Sequence, residues 1–580
     1  MAEYYLGVDI GDGETSVAVL SEQAVAPVMA DIGYKNRSIL SAVGDDPEGK
    51  PVIGENVLLM NKVTNRRVRF KSRFLTGEAN NDILRFAQGL ADALEKYSGL
   101  MAEENTLHIC IGCPTGAKWT AKKRAEYANL IRYALPIVEQ PVGESRAAFL
   151  YTHYSGNINV PKQMLGGNVL VVDMGSSTTD LAYVVAGRQE KMDVLGAEHL
   201  GGGLIDQAIL ARCVARNEKA AQIQDLFERQ PSVRHSCEIS ARMIKERYFT
   251  AKDAGMPFDE VRRETLFYGK TRAEHTTLTI TADDEMMDAI LHEPMPALFK
   301  GEQGRAFIET LDELLDAAAE HTKSAPPELI IITGGASRMG FVREHIAQHF
   351  PHATLGACGE PEFSIAKGLA FACRVDRRME RYRAQIRELT DDVLFEAAID
   401  QDLPSLVDAL CHDIAPAYVD HVFMPVIREF DGKKKELEAE LERRSKDYFD
   451  SDALKEIVAD ALHAWMQGAL SGVKEKINEI SAVYRIDPAK IPVPDAAKIH
   501  ISIPELPVGF LARALMSLPG LGGMIAGLMR RRYVAAAEEN LEETMNKRSS
   551  VFYTELRAEL KRSIREDIDR RAKEVEIPVV

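Results

Sequence analysis

Leu6-Gly7-Val8-Asp9-Ile10-Gly11-Asp12-Gly13-Glu14-Thr15 is an apolar run that ends in an aspartate and enters a glycine-bearing turn. The pattern returns in Val171-Val172-Asp173-Met174-Gly175-Ser176-Ser177-Thr178-Thr179-Asp180, and a third apolar run enters Thr333-Gly334-Gly335-Ala336-Ser337-Arg338. Glycine lets backbone N–H groups approach an anion closely, so turns of this kind suit phosphate. Asp9 and Asp173 cannot bind phosphate themselves, and they indicate a metal ion or a polarised water beside it.

Composition indicates a large globular protein and excludes several functions. The 580 residues exceed what one hydrophobic core normally supports, so two or more domains are expected. The net charge of −17 argues against nucleic-acid binding through bulk charge. Seven cysteines in so long a chain give no disulfide framework, and no basic and apolar leader precedes the first strand. We therefore expect a cytoplasmic protein, with membrane association left open by a segment described below.

Residues 1–375 alternate β-rich apolar runs with amphipathic helical runs, which is typical of an α/β fold. The spacing predicts strands such as 107–111 and helices such as Phe307–His321. A strand-turn-strand pattern occurs at 4–20 and again at 168–185. The repetition predicts two related α/β halves that face a shared cleft.

Residues 376–580 contain fewer glycines and long runs rich in Glu, Lys and Arg, which predict a mainly α-helical domain. Helical patterns cover 431–448 and 533–573, and the second carries an apolar stripe at a spacing of four: Leu556, Leu560, Ile564, Ile568. Between these patterns, 486–507 is punctuated by proline and alternates like a short strand near Ile501.

An apolar segment at 508–529 is interrupted by Pro519-Gly520 and followed by Arg530-Arg531-Arg532. The interruption makes a single membrane-spanning helix a poor interpretation. Two short apolar helices with arginines at the level of the headgroups would suit peripheral membrane contact through 508–532. A buried hairpin or a surface for a protein partner is the alternative, and the sequence leaves this choice open.

Together these segments resemble the nucleotide-binding domain of the superfamily of actin, DnaK-type chaperones and sugar kinases, and they are most similar to the DnaK-type, seventy-kilodalton heat-shock chaperones. The resemblance covers roughly residues 1–375. The matching elements are the two phosphate loops, a His-Leu-Gly-Gly element, the adenosine loop and a connecting Glu-x-x-Ala-Ala: Asp9-Ile10-Gly11, Asp173 to Asp180, His199 to Asp206, Gly334 to Arg338, Glu144 to Ala148. The family continues with a β-rich peptide-binding module, whereas 376–580 shows no series of alternating strands.

The resemblance implies a site for ATP or ADP with Mg²⁺, and an actin-like ATPase domain of two α/β lobes around a nucleotide cleft. Asp9, Glu144 and Asp173 would surround a hydrated Mg²⁺. Thr178 would lie near the γ-phosphate, and Lys71 would be the catalytic lysine.

The same resemblance implies the other nucleotide contacts. Arg338 would pack on the base and Lys245 would contact the nucleoside, with Arg242 standing where the family has an acid. The remaining contacts come from the loops: Gly11, Asp12, Gly13, Thr15, Gly175, Ser176, Ser177, Gly201, Gly202, Gly203, Gly334, Gly335.

The chemistry of phosphoryl transfer gives these residues roles that do not depend on the family. Transfer to water needs neutralised charge and an aligned nucleophile. Mg²⁺ keeps several of its waters, which suits surrounding carboxylates, and the cation of Lys71 would stabilise charge on the transferring oxygens. The first loop departs from the chaperone pattern, because Asp12 and Glu14 lie where a threonine pair is usual. Two acids beside a polyphosphate are unfavourable unless they are screened or turned away, so slow hydrolysis is expected, and a nucleotide-binding pseudo-ATPase scaffold is an alternative.

Two functions of different kinds follow. The first is an ATP-binding, chaperone-like switch whose helical domain engages a protein partner or a membrane under nucleotide control. The second is a polymerising, actin-like cytoskeletal protein, which needs self-complementary surfaces that one sequence does not display. A sugar kinase is a distant third, because nothing marks a sugar site.

Overall fold

The computed structural model divides the chain into two compact units, one up to Asp376 and one from Arg377 onward. All described strands belong to the first unit, and the second is built from helices throughout its described part. The chain is therefore mixed α/β with a helix-rich carboxyl-terminal region. The structure describes residues 2–60, 62–75, 77, 79–114, 118–136, 141–155, 159–185, 188–190, 196–269, 271, 273–295, 304–357, 359–429, 434–487, 526–546 and 550–575.

The buried strands of the first unit follow the apolar runs of the sequence. The first group is β1 (Ala2–Ile10), β2 (Glu14–Ser21), β3 (Val28–Met29), β4 (Ser38–Leu40), β5 (Ala42–Asp45), β6 (Pro51–Ile53), β7 (Thr64–Val68), β8 (Asn105–Cys113) and β9 (Val142–Gly143). The second group is β10 (Val169–Met174), β11 (Thr178–Val185), β12 (Arg188–Glu190), β13 (Gly196–Glu198), β14 (Val261–Phe267), β15 (His275–Thr281), β16 (Leu329–Thr333) and β17 (Thr354–Ala357).

Helices connect these strands. They are α1 (Asn56–Leu59), α2 (Phe70–Phe74), α3 (Asn80–Ala93), α4 (Ala121–Arg132), α5 (Glu144–Ser155), α6 (Gly202–Ala215), α7 (Ala220–Arg229), α8 (Pro231–Asp253), α9 (Asp284–His292), α10 (Phe307–His321), α11 (Gly340–His349) and α12 (Ser364–Asp391). The predicted helix Phe307–His321 is confirmed, and the predicted strand at 107–111 lies within β8.

Two sheets of the first unit have the same strand order. One runs β3-β2-β1-β8-β9 and the other runs β12-β11-β10-β16-β17. In each sheet the central strand pairs antiparallel with the strand that follows it in the chain and parallel with a later strand. The two hairpins predicted at 4–20 and 168–185 are present as β1–β2 and β10–β11. Smaller sheets are formed by β5, β6 and β7, and by β14 and β15.

Alternation along the central strands assigns one face of each sheet to a shared inner core. Tyr5 on β1 and Val169 and Val171 on β10 are buried in one cluster with side chains of α5 and α12. The opposite faces pack into separate clusters with other helices. Because side chains alternate along a strand, Asp9 lies on the same face of its sheet as Tyr5, and Asp173 lies on the same face as Val171. Both aspartates therefore lie at the ends of strands, on the faces that turn toward the shared core.

Two glycines bring backbone against backbone in this inner core. A Cβ on Gly7 of β1 would lie 2.0 Å from the carbonyl oxygen of Ala366 on α12. A Cβ on Gly368 of α12 would lie 1.8 Å from the carbonyl oxygen of Ala147 on α5. Neither position has room for a side chain, so glycine sets the spacing between these elements.

The second unit packs around one continuous hydrophobic cluster. Its helices are the remainder of α12, then α13 (Val393–Tyr418), α14 (Met424–Glu429), α15 (Lys434–Phe449), α16 (Asp452–Ala469), α17 (Ser471–Val483), α18 (Ala526–Met545) and α19 (Val551–Glu574). Serine side chains cap α16 and α19, where Ser451 accepts from the Leu454 N–H and Ser550 accepts from the Tyr553 N–H. The apolar stripe predicted on the last helix is buried. The helical pattern at 533–573 is not one helix but parts of α18 and α19.

No described helix has the length and apolar character needed to cross a membrane. Most of the apolar segment, 508–525, and the strand-like pattern near Ile501 lie outside the described residues. The arginines that follow the segment lie on α18, where Arg530 Nε lies 2.7 Å from Asp420 Oδ1. Arg531 and Arg532 are exposed.

Candidate functional site

The turns of the two large hairpins are built alike and face each other. Gly11 N–H donates to the Glu14 carbonyl at 2.9 Å, and Gly175 N–H donates to the Thr178 carbonyl at the same distance. A Cβ placed on Gly13 would lie 3.2 Å from Ser176 Oγ, across the gap between the two turns. The structure therefore brings the first two predicted phosphate loops together from different sheets.

The amino terminus of α6 holds the second loop in place. Gly202 N–H donates to the Gly175 carbonyl at 3.1 Å, and Gly203 N–H donates to the Ser176 carbonyl at 2.7 Å. A Cβ on Gly201 would lie 2.6 Å from the backbone of Ser176. These glycines contact the predicted loop, and two of their N–H groups are used to fix it.

The third loop reaches the same place from β16. Gly334 has φ +83°, and a Cβ there would lie 2.3 Å from the Met174 carbonyl oxygen and 2.5 Å from Asp173 Oδ1. Both the left-handed backbone and the close approach require glycine. A Cβ on Gly335 would meet no atom within 4 Å, so this residue borders open space.

A group of buried charges lies beneath the loops. Lys71 Nζ on α2 donates to Glu144 Oε1 on α5 at 2.5 Å, and both side chains are less than a tenth exposed. Asp173 and Asp180 are also buried, and Asp9 is half-buried. Thr178 Oγ1 donates to Asp180 Oδ2 at 3.0 Å. Four carboxyl groups thus share a small volume with the ammonium group of Lys71.

This crowding shifts the pKa values of the group. Burial, with the nearby acids, raises the pKa of Glu144 to about 7, although Lys71 opposes the shift. Burial raises the pKa of Asp9, and burial together with Glu144, Asp180 and Asp9 raises that of Asp173 well above its usual range. Burial acts to lower the pKa of Lys71, but the acids outweigh it and hold that pKa well above its ordinary value. The cluster has an excess of negative groups, and an added cation would favour their ionised forms.

The two acids of the first loop both have partners. Asp12 is buried, and its Oδ1 accepts the Ser72 N–H of α2 at 3.0 Å. Glu14 Oε1 accepts from Arg242 Nη2 on α8 at 2.8 Å. One acid is therefore directed into the backbone of α2 and the other is neutralised by an arginine.

Three other predicted residues are engaged within the protein. Thr15 is fully buried, and its hydroxyl lies 2.9 Å from Ser41 Oγ. Lys245 Nζ lies 2.8 Å from Asp206 Oδ1 and donates to the Gly202 carbonyl at 2.9 Å. Arg338 is 57% exposed at its side chain and pairs with Glu362 at 2.5 Å. Of the three, Lys245 is attached directly to the helix terminus that holds the second loop.

The carboxylates at the loops are the kind of group that surrounds a hydrated cation. Asp173 Oδ1 and Asp12 Oδ2 are buried and have no hydrogen-bond donor among the described residues. Among the described residues, no three side chains of His, Cys, Asp or Glu lie close enough together to ligate one metal ion directly. Carboxylates that surround an ion through its waters need no such convergence, so the residues fit a hydrated Mg²⁺.

The sequence analysis placed Asp180 and Asp206 at the ends of matched motifs but assigned them no role, and it missed the pairing of Glu14 with Arg242. Asp180 lies two residues after Thr178 on β11, and this spacing assigns both to one face. Arg242 lies one helical turn before Lys245 on α8, which is the signal that both cations approach the same loops. The partner of Glu14 had no local signal, because the two residues are 228 positions apart.

A separate groove of about 500 Å³ lies away from these loops, lined by polar side chains of β5, β7 and α3. Its lining charges balance, with Asp45 and Asp82 against Arg67 and Arg85. Arg85 contacts both Asp45 and Asp82, and Asn65 Nδ2 donates to Asp45 Oδ2 at 2.7 Å. It offers no comparable excess of charge.

No protein-family model matches the chain, and a search of curated proteins finds no significant match. The case for function therefore rests on the loops and the charges between them.

Proposed function

We propose that the first unit is an actin-like ATPase domain of two related α/β lobes, and that it binds ATP or ADP with Mg²⁺ between its hairpin loops. The bound nucleotide would control the helical unit, as in a chaperone-like switch. One observation carries the proposal: two sheets of equal strand order point matching glycine turns at each other, above the buried Asp173 and Glu144 and the half-buried Asp9.

The equal strand order supports the two-lobe interpretation. Each sheet contributes a hairpin, an aspartate as the second-to-last residue of its central strand, and a turn closed by the same hydrogen bond. Two similar loops that face each other form a cleft, and each loop supplies backbone N–H groups to one of its walls. A polyphosphate fits such a cleft because its charge is spread over several oxygens.

The chain's own residues have separable tasks at this site. Backbone N–H groups of the turns would bind phosphate oxygens, and Gly201, Gly202 and Gly203 keep the second turn in shape. Lys71 would stabilise negative charge on the transferring phosphoryl group, and Glu144 holds the lysine in position. Thr178, oriented by Asp180, would align the attacking water near the terminal phosphate.

Asp9, Glu144 and Asp173 would hold hydrated Mg²⁺, which neutralises phosphate charge when it is bound. Slow hydrolysis fits the site, because Lys71 is already occupied by Glu144. The nucleoside would lie toward Lys245, Gly335 and Arg338, where Gly335 borders open space.

The helical unit would engage a protein partner, with peripheral membrane contact through 508–532 as the alternative. Its exposed Arg531 and Arg532 are available to an acidic partner or to anionic headgroups. Flotation with anionic liposomes, comparing the full chain with one that lacks 508–532, separates the two. Equal flotation of both proteins would remove the membrane alternative.

Titration calorimetry with MgADP and MgATP, together with phosphate release, tests the proposal. We expect the wild-type chain to bind both nucleotides and Asp173→Asn to lose Mg²⁺-dependent affinity and turnover. Asp82→Asn on α3 is the matched control, since Asp82 is also buried but lies in the separate groove. No nucleotide binding by the wild-type chain would overturn the proposal, and binding without turnover would leave a pseudo-ATPase. Sedimentation with and without MgATP detects the polymerising alternative.

A further inference from the structure

The guanidinium group of Arg242 lies directly beside the first loop. Its Nη1 is 3.1 Å from the point where a Cβ on Gly13 would stand, and Ser176 Oγ is 3.2 Å from the same point. Arg242 belongs to α8, whose neighbouring Ala241 and Ile244 are buried with the second sheet. The guanidinium group of Arg242, on a helix packed with the second sheet, therefore lies against the turn of the first hairpin.

The three donor nitrogens of Arg242 are used unequally. Nε donates to Glu246 Oε1 at 2.7 Å, and Nη2 donates to Glu14 Oε1 at 2.8 Å. Nη1 makes no hydrogen bond to any described residue and is the nitrogen nearest Gly13. The side chain as a whole is 27% exposed, so solvent reaches part of it.

We propose that Arg242 binds the phosphate chain of the nucleotide, and that Glu14 is the counter-ion which occupies the arginine when no nucleotide is bound. The inference rests on the proposed function and names a residue that selects for di- and triphosphates. A phosphate chain carries more negative charge than one carboxylate and accepts the planar guanidinium fork in a bidentate way. Nucleotide entry would therefore transfer Arg242 from Glu14 to phosphate.

The alternative is that the pair simply ties α8 to the first loop. Glu14 is 43% exposed, and an ion pair at such a position contributes little because solvent screens it. A second pair, Arg69 with Glu238, ties the same helix to the residue before α2, away from Gly13. The two pairs differ in position relative to the loops, which makes the second an internal control.

Affinities for MgADP and MgATP should be measured by calorimetry for wild type, Arg242→Ala, Arg242→Lys, Glu14→Gln and Glu238→Gln. We expect Arg242→Ala to weaken binding by about tenfold or more, since charged hydrogen bonds to phosphate are lost. Arg242→Lys should recover part of this loss. Glu14→Gln should bind more tightly than wild type by about two- to fivefold, because a competing negative charge is removed. Glu238→Gln should leave affinity unchanged.

Opposite signs for Arg242→Ala and Glu14→Gln are the decisive result. A tie that only holds the loops would weaken binding in both variants, and that outcome overturns the inference. Unchanged affinity in Arg242→Ala also overturns it while leaving the proposed function intact. A wild-type chain that binds no nucleotide overturns both. Should Arg242→Ala fail to fold in thermal melts, Arg242→Lys and Glu14→Gln decide the question alone.

Discussion

The hairpins β1–β2 and β10–β11 carry an aspartate at the same position and close their turns with the same hydrogen bond. Their loops are nevertheless held differently. The second loop is fixed by N–H groups of Gly202 and Gly203, at the start of the helix that follows it. The first loop is fixed mainly through two acids, Asp12 and Glu14, whose partners lie on α2 and α8, with one backbone bond from the Ser41 N–H to the Gly13 carbonyl.

The difference shows that one hairpin-turn geometry can be stabilised in two ways. Where backbone N–H groups hold a loop, the contact requires glycine and has no room for a side chain. Side-chain acids that hold a loop tolerate a small change in the loop itself, but they add negative charge near the proposed anion site. Under the proposed function, the first loop is therefore the one whose affinity for nucleotide depends on the charge of its partners.

The largest expected difference in stability is between two glycine-to-alanine changes, one at the second loop and one in the first. Gly201→Ala would place its Cβ 2.6 Å from the Ser176 backbone, which cannot move aside, and should cost about 3 kcal/mol of unfolding free energy. Gly13→Ala would meet side-chain atoms of Arg242 and Ser176 at 3.1 to 3.3 Å, which need to give way by only a few tenths of an ångström, and should cost less than about 1 kcal/mol. Chemical denaturation measures both. Equal losses would show that the loops are held alike.

The paired aspartates should behave as equivalents in turnover. Asp9→Asn and Asp173→Asn should each lower the rate of ATP hydrolysis by about 10- to 100-fold, the usual cost of losing a group that orients a metal site. Phosphate release under saturating MgATP provides the measurement. If one variant keeps the wild-type rate, the two halves do not share the chemistry.

Glu144 lies between the hairpins and should give the protein a measurable pH dependence. Its folded pKa of about 7 lies above the ordinary value of 4.5, so the folded state retains a proton that the unfolded state releases between these pH values. Stability therefore falls as pH rises through this window and the contribution is lost above about pH 7. Between pH 5 and 8, wild type should lose on the order of 2 kcal/mol more than Glu144→Gln. Parallel stability profiles for the two proteins would contradict the shift.

The smallest effect is expected outside both loops, at Arg338. This side chain is 57% exposed and, among the described residues, pairs with Glu362 alone, so Arg338→Ala should change the unfolding free energy by less than about 0.5 kcal/mol. A loss of MgADP affinity without a loss of stability would assign the arginine to the nucleotide. A large drop in melting temperature would show a structural role instead.

The parts of the fold that depend on local pattern were predictable from sequence. Apolar runs with glycine turns predicted β1–β2 and β10–β11, because hairpin partners are neighbours in the chain. The second loop and its helix are also close in sequence. The helical character of 533–573 was predictable, but not its division into α18 and α19, since the apolar periodicity continues through both.

The electrostatic arrangement of the site was not predictable in the same way. Asp12 and its partner Ser72 are 60 positions apart, and Glu14 and Arg242 are 228 apart. Only the tertiary fold determines whether two acids beside a loop repel a ligand or are already neutralised. Thr15 is a second example of an arrangement that the sequence does not reveal. Its hydroxyl is already hydrogen-bonded to Ser41 on a neighbouring part of the chain.

The glycines of the inner core have a mechanical consequence. Side chains that interdigitate can change rotamers and let two elements slide, whereas backbone atoms in contact have no such freedom. At Gly7 and Gly368, β1, α12 and α5 touch through their backbones. We expect any opening of the loops to keep these two contacts and to turn about them, so that Gly7 and Gly368 act as the pivot of the first unit.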